Sequence, residues 1–144
     1  MSNEISIQGK LACAVTAGTV ANTDTSKSFD VLITTALAQF DHKSTPCAAA
    51  SAKTAVPLGS CTTTAAGATG GYWVFLRNTT STAADIVNVY VEYSSTNYAQ
   101  CGQIPAGGFF LTKMVGNSGG TYPRLVFASA TANLPVVESI VCDG

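Results

Sequence analysis

Short runs of β-branched and aromatic residues recur along the whole chain, broken by clusters of Gly, Ser, Thr, Asn and Pro. That spacing restricts the fold to an antiparallel sandwich or barrel. No long helical periodicity competes with it. The clearest run is Asp85 to Tyr93, where Val87, Val89, Val91 and Tyr93 alternate with Ile86, Asn88, Tyr90 and Glu92. Period-two alternation puts the first set on a core face and the second on a partly wet one.

Further strands are expected at about Glu4 to Val15, Phe29 to Thr35, Tyr72 to Asn78, Phe109 to Val115, Arg124 to Ala130 and Val136 to Cys142. Over Phe29 to Phe40 a short helix is a rival, because Leu32, Ala36 and Phe40 also fit an i, i+4 spacing. Pro135 stands at the start of the last strand, where its missing N–H costs least, and Pro105 with Gly107 and Gly108 marks the turn before Phe109. Residues 44–71 are rich in Ala, Thr, Ser and Gly, with Val56 and Leu58 as the larger apolar anchors. They read as an extended loop around one short strand. The expectation is one domain over residues 1–144: an all-β, antiparallel β-sandwich of about eight strands.

Charge narrows the function. Only 10% of the residues are charged, against the usual quarter or so, and the formal net charge is -1. Such a surface gains little protection from self-repulsion, which favours association. Seven Lys and Arg scattered along the chain do not form a basic stripe, so no nucleic-acid partner is expected. The opening Met1-Ser-Asn-Glu-Ile-Ser-Ile does not read as a secretory signal, and no apolar run reaches the roughly 18 residues that span a bilayer, so no membrane partner is expected either. The reading is a product made in the cytoplasm. The five cysteines, Cys13, Cys47, Cys61, Cys101 and Cys142, form no C-x-x-C pair and read as buried small hydrophobes, with a disulfide open to them in an oxidising setting.

Four patterns bear on chemistry. Gly116-Asn117-Ser118-Gly119-Gly120 matches G-x-S-x-G, and His42, Asp85 and Ser118 occur in the chain order of chymotrypsin-like proteases. Yet only 26 residues follow Ser118, too few for the strands of an oxyanion hole and specificity pocket. Thr121-Tyr122-Pro123 also breaks the helix that a hydrolase elbow would open. The motif reads as a hairpin loop. Gly67-Ala68-Thr69-Gly70-Gly71 lacks the Lys-Ser/Thr ending of a phosphate loop and leads into a strand. His42 is the only histidine and the acidic residues are scattered, so neither a metal site nor a glycosidase pair is expected. The reading is a non-enzyme with no cofactor and no metal.

Tyr72-Trp73-Val74-Phe75-Leu76-Arg77-Asn78, then Val89-Tyr90-Val91-Glu92-Tyr93, then Gln103-Ile104-Pro105-Ala106-Gly107-Gly108-Phe109-Phe110 resembles a pattern in small virion proteins of tailed bacteriophages. Val137-Glu138 in the last strand and Ile5-Ser6-Ile7-Gln8-Gly9-Lys10-Leu11 at the start fit the same pattern. Gly108 departs from it where a Glu is usual, and the loop Thr79 to Ala84 is longer, so contacts of those positions are not carried over. The resemblance implies a jelly-roll-like sandwich that decorates or cements a capsid as a homotrimer, with the major capsid protein or another virion protein as partner and the virion as its location. Ile5, Ile7 and Leu11 of the N-terminal strand are the expected partner contacts, or else sandwich core. Asn97 and Tyr98, in an outer loop expected over Ser94 to Gln100, are expected to face solvent or a partner protomer. The alternative is a tail, collar or fibre-associated carbohydrate- or receptor-binding module that stacks sugars on exposed Tyr and Trp rings.

Overall fold

The computed structural model describes residues 5–12, 26–33, 40–49, 52–59, 61, 71–115 and 123–143, with residues 5–12, 26–33, 40, 115 and 143 described by their backbone. The chain forms two compact units, Met1–Leu37 and Ala38–Gly144. The first contains an antiparallel ribbon of β1 (Ile5–Ala12) and β2 (Ser26–Ile33), in a register that sets Ile5 opposite Ile33 and Ile7 opposite Val31. β2 takes the strand alternative for this stretch, and Phe40, which the rival helix would have included, opens β3; Ala36 lies outside the described residues.

The second unit contains β3 (Phe40–Pro46), β4 (Thr54–Ala55), β5 (Gly71–Asn78), β6 (Val87–Ser94), β7 (Asn97–Ile104), β8 (Phe109–Val115), β9 (Arg124–Ser129) and β10 (Val136–Asp143). They make two four-stranded antiparallel sheets, in the orders β3-β10-β5-β8 and β4-β9-β6-β7. The pairing is nested: β6 pairs with β7, β5 with β8, β4 with β9 and β3 with β10. A long hairpin whose outer limbs also pair β10 with β5 and β9 with β6 is a rolled-up one. The unit is therefore a jelly-roll β-sandwich.

Alternation along the strands builds the core. Tyr72, Val74 and Leu76 of β5 with Val137 and Val141 of β10 face Val87 and Val89 of β6, Ile104 of β7 and Leu125 and Phe127 of β9, all buried in one cluster. Asn78, fully buried, ties the sheets together: its Nδ2 donates to the carbonyl of Asp85 at 2.8 Å and to that of Ile104 at 3.2 Å. Pro135 precedes β10 and its carbonyl accepts from Cys47 N at 2.8 Å. Gly107 takes a positive φ of 70° at the third position of the turn closed by Gly108 N and Pro105 O, a conformation that favours glycine. Gly102 leaves room for the Phe110 ring, which a side chain there would strike.

Two strands went unread in the sequence. β3 carries Asp41, His42, Lys43, Ser44 and Pro46, the composition of a protected sheet edge. β7 is the other overlooked strand, and it corrects the loop expected over Ser94 to Gln100. Ser95 and Thr96 form a tight turn between Ser94 and Asn97, and Asn97 and Tyr98 open the edge strand. Its alternation is blurred by a bulge, since Val89 pairs with Gly102 but Tyr90 with Gln100.

Candidate binding surfaces

The pleat that fills the core also composes two outward faces, and these hold the side chains available to a partner. On the first sheet the registers align three rows across β3, β10, β5 and β8: Ser44, Glu138, Arg77 and Phe109; His42, Ile140, Phe75 and Leu111; and Phe40, Cys142, Trp73 and Lys113. The Phe75 and Phe109 rings stack with centroids 5.7 Å apart. Phe109 is 59% exposed, while Phe75, Leu111 and Ile140 are half-buried. Val136 extends the apolar surface at the start of β10, and Leu134, exposed just before the strand, lines a groove between the sheets' ends. Polar groups lie alongside: Glu138 Oε1 accepts from His42 Nε2 at 2.9 Å, and Glu138 lies 3.9 Å from Arg77. Lys113 sits over the Trp73 ring at 5.8 Å.

The second sheet presents a different chemistry. Lys53 Nζ lies 4.9 Å from the centre of the Tyr90 ring and 4.4 Å from that of Tyr98. Beside them, Asn88 Oδ1 accepts from Gln103 Nε2 at 2.8 Å and from Gln100 Nε2 at 3.2 Å. Further along the same face Glu92 is buried and paired with Arg124 Nε. The alternation expected for β6 holds at Val87 and Val89 but fails at its end: Glu92 is buried on the side read as wet, and Tyr93, read as core, is 57% exposed at an irregularity in the β6–β7 ladder.

Between the sheets' ends, Thr79, Thr80, Asp85, Asn133, Leu134, Pro135 and Val136 line an open groove of about 370 Å³. Asp85 is committed there, accepting from Asn133 Nδ2 at 2.7 Å and Thr80 Oγ1 at 3.1 Å. His42 is engaged by Glu138, so neither residue holds the other as a triad would, and Ser118 with its glycine loop lies outside the described residues. Gly67 to Gly70 lie outside them too.

Of the expected contacts, Ile5, Ile7 and Leu11 occupy alternate positions of β1. Asn97 donates to Ser94 Oγ across the turn at 2.6 Å, and Tyr98 joins the Lys53 cluster. Sequence reasoning missed Lys53, Asn88, Gln100 and Gln103. The alternation of Asn88 with Tyr90 was a signal for two of the face's members, but Lys53 comes from a segment with no periodicity. Cys47, Cys61 and Cys142 are buried, with Cys61 Sγ donating to the Val141 carbonyl at 3.5 Å, and Cys101 is exposed at the β7 bulge; Cys13 lies outside the described residues. Burial pushes the Cys47 thiol up to about 11 and Tyr72, despite the opposing charge of Arg124, up to about 12. Cys101 is also raised by burial, which its own backbone hydrogen bond partly offsets.

Comparisons with protein-family models, with curated proteins and with solved structures returned no match to the chain.

Proposed function

We propose that this protein is a structural component of a bacteriophage particle, binding the outside of the capsid and fastening neighbouring subunits as a homotrimer. The observation that carries the reading is the apolar outer face of the first sheet, where Phe109 is more than half exposed beside Phe75, Leu111 and Ile140, and Val136 is exposed at the start of β10. An exposed apolar patch with a polar rim, here Arg77, Glu138 and His42, has the anatomy of a protein–protein contact. Burying it contributes about 25 cal/mol per Å² before the costs of association. Many modest contacts repeated over a shell then hold by avidity.

The ribbon belongs to the same reading. Ile5, Ile7 and Leu11 recur at the two-residue period of a strand with one apolar face, and we assign those positions to a partner protomer or capsid subunit. The test is light scattering of the purified protein, followed by pelleting with capsid shells assembled without it. A homotrimer that saturates the shells at a fixed copy number, and fails to do so as Phe109→Ser, is the expected result. A monomer that stays in the supernatant sinks the proposal.

A second reading, a carbohydrate- or receptor-binding module of a tail, collar or fibre, is favoured by one observation: the two half-buried tyrosine rings beside a row of carboxamides on the second sheet.

A further inference from the structure

We infer that the outer face of the second sheet binds an acidic oligosaccharide, one carrying uronate-type carboxylates, in the notch formed by Tyr90, Tyr98 and Lys53. The inference rests on the carbohydrate-binding reading and names its ligand class and residues. It is independent of whether the first sheet docks on a shell.

The register builds the notch. Val126 pairs with Ala55 on one side and Tyr90 on the other, so a Lys53 side chain that reaches Tyr90 from beside β4 crosses over β9. Its stem covers apolar surface, in keeping with the 2% exposure of Val126, while its ammonium reaches the two rings. Tyr90 pairs with Gln100 and Glu92 with Tyr98, so the two tyrosines are half-buried diagonal neighbours on adjacent strands. The Lys53 ammonium lies over one face of each ring, and the solvent-facing remainder of each is offered to a pyranose.

Hydrogen-bonding groups stand next to the rings. Asn88 spends its carbonyl oxygen on both glutamines, which fixes the three side chains as a row and leaves its NH₂ donors and the glutamine carbonyl oxygens to meet sugar hydroxyls. Stacking rings beside a fixed set of amide donors and acceptors are what orient a sugar in its site.

Charge selects the acidic class. Among the described residues Lys53 lies in no ion pair, and the other charged groups of this face, Glu92 and Arg124, neutralise each other. A ligand carboxylate therefore meets one uncompensated ammonium, already held in place by the rings. One ammonium is too few for a nucleic-acid backbone, which needs several cations along its track.

The test is calorimetric titration of the whole protein with an alginate tetrauronate and with cellotetraose as its neutral counterpart. The tetrauronate is expected to bind more tightly by about tenfold, the worth of one charge-assisted contact. Tyr98→Ala should weaken both sugars about tenfold. Lys53→Met keeps the apolar stem and should remove the preference for the uronate, so that the variant binds the tetrauronate no more tightly than cellotetraose; an unaltered melting temperature certifies that each variant folds. Equal binding of the two sugars by the unmodified protein overturns the acidic assignment and leaves the carbohydrate reading standing. Binding of neither overturns both, as does binding of a dT dodecamer at these residues in place of the sugars.

Discussion

The outer faces of the two sheets share one core and differ in almost everything else. On the first, the centre is apolar and its polar groups lie in an exposed set: Glu138 shared between His42 and Arg77, with both partners about half exposed. On the second, the surface is tyrosine and carboxamide, and its carboxylate, Glu92, is buried against Arg124. Strand alternation explains how both arise from one sequence. Inward positions are constrained by packing in the sandwich, whereas outward positions can be chosen strand by strand for a partner. An ion pair placed outward thus has a cost or value set by local cover, not by the fold.

The sharpest way to break that comparison is to remove one cation from each face. Arg124→Ala leaves Glu92 buried and uncompensated, and should lower the unfolding free energy in urea by about 3–5 kcal/mol. Asn78→Ala, at the junction of both sheets, strands the carbonyls of Asp85 and Ile104 and should cost about 2–4 kcal/mol by the same measurement. Tyr72→Phe removes a buried hydroxyl that has no hydrogen-bond partner and should change stability by no more than about 1 kcal/mol, in the stabilising direction.

The same variant reads out pH. Because the folded pKa of Tyr72 lies near 12, above its ordinary value of 10.0, its contribution is complete below pH 10 and is lost as pH rises towards 12. Tyr72→Phe should therefore flatten the alkaline limb of a stability-versus-pH curve over that window. The smallest effect is expected on the first face, where Arg77→Ala removes a partly solvated partner of Glu138 and should cost less than about 1 kcal/mol in the same urea titration. A loss as large as that of Arg124→Ala would abolish the distinction between the faces.

The sandwich was legible because its inner strands are strong signals: Tyr72 to Asn78, Arg124 to Ala130 and Val136 to Cys142 all became strands close to the expected bounds. Two edge strands, β3 and β7, were illegible for the reason that makes them good edges, whereas the edge strand β8 was read at its bounds. β3 has the charges and proline that discourage further pairing, and β7 has a bulge, a glycine and no charged residue, so neither shows a clean apolar alternation. The tyrosine notch was half legible. Tyr90 and Tyr98 could be suspected of exposure, but their meeting with Lys53 depends on a crossing over β9 that no local pattern announces. The burial of Glu92 was hidden likewise, since its partner lies 32 residues further along the chain.

The nested pairing also sets an order in time. β6 and β7 close over the two residues Ser95 and Thr96, whereas β3 and β10 bring together residues such as His42 and Glu138, 96 positions apart. Each outer pair encloses the ones within it, so the entropy of closing the largest loop falls steeply if the inner pairs have already formed. The molecule should zip outward from the 95–96 turn. On the ribosome the first sheet, whose second strand is β10, stays incomplete until nearly the whole unit has emerged, and the aromatic strand β5 waits until then for one of its two neighbours.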